Sequence, residues 1–167
     1  MSFFEEIKIK AIKKLATKSD VRTAQIKKVD QYSRILVVTD RENNNLIKQV
    51  ELKFINAEVN GLYFRKSKED NSAQFRYSVH PSDFNFTATI KNDKLKKLTQ
   101  SRFDLVVDLS SEPKIFVEFV SILNANLIIS VLGKEDEKLC DLFFEFGKSE
   151  IDYIDNCVKK LNLLAKK

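Results

Sequence analysis

The chain has 167 residues, 43% of them hydrophobic and 32% charged, with a net charge of +5. That length and balance suit one globular domain with its own core, and they exclude both a disordered chain and a small scaffold held by disulfides or metal. The charge is uneven: residues 1–30 hold eight basic and four acidic side chains, a net +4, whereas the other 137 residues hold 21 and 20, a net +1. A nearly neutral body argues against a nucleic-acid-binding face spread over the fold.

Ser2 with Glu5 forms a capping box that opens a helix over residues 3–18. Phe4, Ile7, Ala11 and Leu15 fall on one stripe, with Ile12 beside it, and Lys8, Lys10, Lys13, Lys14 and Lys18 fill the other side. This start lacks the basic region and the unbroken apolar stretch of a secretory signal. No apolar run in the chain approaches the ~20 residues that cross a bilayer, so the expectation is a cytoplasmic protein with no transmembrane segment. A polar connector over residues 19–33 leads to Arg34–Thr39 (RILVVT), a nearly continuous apolar run of the kind buried on both faces of a parallel sheet. A helix follows over residues 44–55, then a second strand over 58–65 and a third over 74–79. Pro81 ends the third strand.

Phe84 and Phe86 lie in an irregular segment that tucks under the sheet. Asn92 or Asp93 caps a helix over 93–100. The fourth strand, 103–109 (FDLVVDL), is the best central candidate. A helix over 114–124, a fifth strand over 126–132 and a sixth over 138–146 follow, and Ser149 caps a final amphipathic helix over 151–165. Apolar strands joined by helical crossovers give an α/β fold: one open, mostly parallel, Rossmann-like sheet with helices on both faces, expected in the order 3-2-1-4-5-6. The organisation expected is a basic N-terminal helix and connector (1–30) followed by an α/β domain (31–167).

Several chemistries lack their residues. A phosphate-binding loop needs glycines where backbone N–H groups close on the phosphate, but residues 40–45 after the first strand read DRENNN. His80 is the only histidine; it precedes a proline and has no nucleophile signature nearby, so it reads as an exposed loop residue. One histidine with the separated Cys140 and Cys157 cannot supply a zinc site, so no cofactor and no metal are expected, and the cysteines read as small buried side chains. Carboxylates remain. Ligands of open α/β sheets bind beyond the carboxyl ends of the strands where strand order reverses. In the expected order this brings together Thr39, Asp40, Asp108, Ser110 and Ser111, a set able to hold Mg²⁺ or to hydrogen-bond a nucleotide or sugar, or else to cap helices and turns.

The segments RYSVHPSDFNFTATIKNDKLKKL (76–98), FDLVVDLS (103–110), FVSILNANLIISVLG (119–133) and KLCDLFFEF (138–146) resemble, in this order, a family of small uncharacterised proteins of the Bacteroidetes. Its members carry a "DFNW-GK-KN"-like segment, an "FDLLIDLS"-like strand and a "YDLMI"-like last strand. This chain departs from the pattern at Thr87-Ala88-Thr89, where the family has Gly-Lys. The resemblance implies a shared fold and carries no activity. Residues 103–133 are also similar to the strand-helix-strand unit in the N-terminal domain of heptosyltransferase-type glycosyltransferases, which again implies the fold.

With catalytic signatures missing and charge concentrated at one end, the expected function is a non-catalytic binding or protein-interaction module. Its basic helix would meet a protein or an anionic surface through Lys8, Lys10, Lys13, Lys14 and Lys18. The alternative is a small enzyme or ligand-binding domain that uses the crevice between the first and fourth strands.

Overall fold

The computed structural model describes residues 3–16, 24–41, 43, 45–67, 75–85, 89–110, 114–133 and 140–165; among these, the side chains of residues 3–5, 13–16, 114, 115 and 117 are not described. The proposed Ser2 cap, Lys18, Phe86 and Ser111, and the side chains of Lys13 and Lys14, therefore lie outside the described residues.

The unbroken apolar runs become the centre of the sheet because both of their faces are covered. β1 (Arg34–Thr39), β2 (Glu58–Phe64), β3 (Tyr77–Val79), β4 (Leu105–Asp108), β5 (Ile128–Val131) and β6 (Leu142–Phe144) form one sheet in the order β3-β2-β1-β4-β5-β6, with every pair parallel. Among the described residues, five α-helices accompany it: α1 (Phe3–Ala16), α2 (Leu46–Lys53), α3 (Asp93–Gln100), α4 (Lys114–Ser121) and α5 (Glu150–Leu164). One face of the sheet packs Leu36, Val38, Val106 and Ile128 against α1, α3 and α4. The other packs Ile35, Val37, Leu105 and Ile129 against α2 and α5. The period of two along each strand is what divides the apolar residues between these cores.

Local signals hold at the helix starts. The Asn92 side chain accepts from the Lys94 N–H at 2.9 Å, and Ser149 Oγ accepts from the Asp152 N–H at 3.1 Å. The edge strands are shorter than their composition suggests, each for a definite reason. Phe75 leaves the β3 ladder to stack on Tyr63 at 5.5 Å, over Gly61, where a Cβ would collide with its ring. At β6 the Asp141 carboxylate takes the Ile128 N–H at 2.7 Å, and Phe146 turns away to stack on Tyr153 at 5.8 Å.

Helix α1 packs on the body of its own chain. Ile9 and Ile12 are buried among Phe116, Phe119 and Val120 of α4, and Lys8 Nζ donates to the Pro81 carbonyl at 2.9 Å. Of the expected stripe, the side chains of Phe4 and Leu15 lie outside those described; Ile7 and Ala11 are partly covered, Ala11 packing on this core, and the adjacent Ile9 and Ile12 are buried. Several apolar positions compete in this helix, and the surface it meets selects between them. His80 also differs from the exposed residue expected. It is half-buried, and its Nδ1 accepts from the Ser82 N–H at 3.2 Å while its own N–H donates to Asp83 Oδ2 at 2.8 Å.

Candidate functional site

The strand order reverses between β1 and β4, and the chain brings the expected polar residues to that edge. Thr39 ends β1 and Asp108 ends β4, with Val38 paired to Asp108 and the Leu109 N–H donating to the Val38 carbonyl at 2.8 Å. Thr39, Asp40, Asp108 and Ser110 are all buried, Asp40 at 4% exposure and the other three at 0%.

The polar atoms of Thr39, Asp108 and Ser110 are hydrogen-bonded to one another or to neighbouring elements. Asp108 Oδ1 accepts from the Ser110 N–H at 3.0 Å and from Ser110 Oγ at 2.6 Å, while Oδ2 accepts from Ser130 Oγ of β5 at 3.3 Å. Hydrogen bonds from three donors offset much of the cost of burying this carboxyl group. Beside them, Glu150 at the start of α5 accepts from Thr39 Oγ1 at 2.9 Å and from Asn43 Nδ2 at 2.8 Å. The Arg41 N–H donates to Thr39 Oγ1 at 3.1 Å, and the Arg41 guanidinium lies 5.3 Å from the centre of the Phe146 ring. Phe146 in turn covers Tyr153. Burial, with Cys157 and the Asp108 charge adding to it, pushes the Tyr153 phenol well above its ordinary range. Burial also pushes the Cys157 thiol up to about 12, where it is no nucleophile at neutral pH.

This edge is therefore a set of buried polar anchors joining β1, β4, β5 and α5. Among the described residues no three His, Cys, Asp or Glu side chains converge as a metal-ligand set. Sequence reading places Thr39, Asp40, Asp108 and Ser110 correctly at one edge, but it does not anticipate Ser130 or Glu150. Glu150 was findable: a helix that follows a parallel strand starts at the carboxyl edge, and Glu150 follows the cap Ser149.

An open cleft lies at the opposite, amino edge of the sheet. It measures about 450 Å³ and is lined by Gln25, Lys27, Ser33, Arg34, Arg102, Asp104 and Asn126. Asp104 is its hub, accepting from Lys27 Nζ at 3.0 Å, Asn126 Nδ2 at 3.2 Å, the Ser33 N–H at 2.9 Å and the Arg34 N–H at 3.2 Å. Burial raises the Asp104 carboxyl and these hydrogen bonds outweigh it, so it titrates below the ordinary carboxylate range. Sequence reading assigns this group no role, because its members come from four separated segments and none stands in a motif.

Residues 5–162 match a family of unknown function, DUF6913. No curated protein and no solved structure matches the chain.

Proposed function

The chain belongs to the DUF6913 family of unknown function, and we propose that it acts as a non-catalytic binding module that engages a protein partner through the basic face of α1. The observation that carries this reading is the hydrogen bonding of named side chains at the carboxyl edge. Asp108, Ser110, Ser130, Thr39 and Glu150 are spent on each other at the place where an open α/β sheet would hold a substrate. A base or nucleophile needs to reach a reacting atom, and these side chains are enclosed. The charge excess supports α1 as the contact element. Ile9 and Ile12 hold the helix down while Lys10 is exposed, and Lys13 and Lys14 follow one turn later in the sequence.

No helix of the described residues is long and apolar enough to cross a membrane. Deleting residues 1–30 would strip Ile9 and Ile12 from the core, so the test reverses charge instead. A partner captured by the parent chain is expected to be lost with Lys10→Glu, Lys13→Glu and Lys14→Glu combined. Capture that survives this triple change, with the fold intact by circular dichroism, rejects α1 as the contact element.

The second reading is a nucleotide or sugar held between β1 and β4, which rests on the fold and on the meeting of Asp40, Asp108 and Ser110 where the strand order reverses. It is separable by thermal unfolding against nucleotides, nucleotide sugars and divalent metals. A ligand at ~100 times its dissociation constant adds about 2.7 kcal/mol, a rise of roughly 5–10 °C for a chain of this size. A rise that disappears in Asp108→Asn places the ligand at that edge and overturns the reading of its side chains as spent on one another.

A further inference from the structure

We propose that the amino-edge cleft between the connector and the sheet is a binding site for a small oxyanion, a phosphate or carboxylate group. This goes beyond the α1 contact surface and does not depend on it. The lining carries Lys27, Arg34 and Arg102 against one carboxylate, Asp104. Asp104 is already saturated by its four donors, one of them the Lys27 ammonium, so it neither needs a further cation nor offers a lone pair to a ligand.

The charge that remains belongs to two guanidinium groups. Arg34 Nε lies 4.0 Å from Glu58, a carboxylate that Arg76 Nη1 approaches more closely at 3.2 Å, so the Glu58 charge is shared. The Arg34 guanidinium also rests 5.5 Å from the centre of the Phe103 ring, which orients it without neutralising it. Arg102 donates from Nε at 3.2 Å and from Nη2 at 2.9 Å to one oxygen, Asn126 Oδ1. That partner is a neutral amide. It fixes the plane of the guanidinium and leaves the positive charge and the other N–H donors in place, and among the described residues no carboxylate pairs with Arg102. An arginine held in one orientation loses little entropy on meeting an oxyanion bidentately, the geometry its fork matches.

A plainer role for these cations is to cap the negative ends of helices that finish at this edge. The end of α3, just before Arg102, has its own caps. The Ser101 N–H donates to the Lys97 and Leu98 carbonyls at 3.0 and 3.1 Å, Ser101 Oγ donates to the Lys97 carbonyl at 2.8 Å, and Thr99 Oγ1 donates to the Lys96 carbonyl at 2.9 Å. Arg102 is not spent there. Gln25 and Lys27 come from the connector while the arginines come from the sheet edge, so an anion here would bridge the two segments.

The test is titration of the full chain with inorganic pyrophosphate and, separately, with citrate, followed by the arginine Nε–H and backbone amide resonances. Saturable shifts at Arg102, Ser33 and Arg34 are expected, with binding weakened about tenfold or more in Arg102→Gln and in Arg34→Gln. Lys10→Glu should leave binding unchanged. Saturation by pyrophosphate alone assigns a phosphate-bearing ligand, by citrate alone a carboxylate-bearing one, and by both an oxyanion site without discrimination. Unsaturated shifts with both anions, or folded Arg102→Gln and Arg34→Gln chains that bind as the parent does, would overturn the proposal.

Discussion

Replacing Ile12 by alanine is expected to destabilise the whole domain, because α1 is part of one core with α4 and not a detachable arm. Ile12 is fully buried beside Phe116, Phe119 and Val120. The substitution removes three carbons, about 2.4 kcal/mol at ~0.8 kcal/mol for each buried methylene. Any cavity left behind adds to this, within the range of about 2–5 kcal/mol seen for such truncations. About 3 kcal/mol corresponds to a fall in Tm of roughly 6–12 °C for a chain of this length. Urea unfolding followed by far-ultraviolet circular dichroism measures the loss directly, with Leu52→Ala as the control. Leu52 is 68% exposed on α2 and its truncation should cost under about 0.5 kcal/mol. If Ile12→Ala costs as little as Leu52→Ala, α1 releases before the body unfolds, and the cis-packed helix described above is wrong. A lower midpoint with an unchanged slope is the expected signature, since the slope tracks the surface exposed on unfolding.

Asp108→Asn should cost about 1–3 kcal/mol in the same assay, because an amide cannot accept on both sides from Ser110 and Ser130; equal stability would mean that the carboxyl-edge network is not an anchor. Asp104 titrates below its unfolded value of about 3.9, so its contribution is complete above that pH and is lost as pH falls through the lower folded value. Asp104→Asn should therefore flatten the acid limb of a stability–pH curve, and an acid limb identical to the parent's counts against the hub. In the native chain a thiol reagent at pH 8 is expected to modify half-buried Cys140 and to spare Cys157, whose thiol is buried and pushed up to about 12. In urea both should react, and rapid native labelling of Cys157 refutes its place in the α2/α5 core.

The buried runs RILVVT and FDLVVDL announce central parallel strands because a strand covered on both faces has no polar side to show. Alternation with helical patterns then restricts the connections, and the expected order, the common one for doubly wound sheets, is the order β3-β2-β1-β4-β5-β6 that the structure has. Asn92 and Ser149 were legible as caps since capping is settled within a few residues.

The amino-acid sequence by itself thus determined the central parallel strands and their helical connections, and it led to the expectation that Thr39, Asp40, Asp108 and Ser110 meet at one edge. Local propensity and strand period are short-range properties, and the residues declare them. Only the tertiary structure decided that Asp108 and Thr39 are hydrogen-bonded there, since Ser130 and Glu150 reach them from elements 22 and 111 residues away. Only it showed which stripe of α1 turns inward, because the choice belongs to the α4 surface opposite. The amino-edge cleft is of the same kind. Lys27, Arg34, Arg102, Asp104 and Asn126 meet there because parallel strands all begin at one end of the sheet, bringing residues far apart in the chain into a single wall.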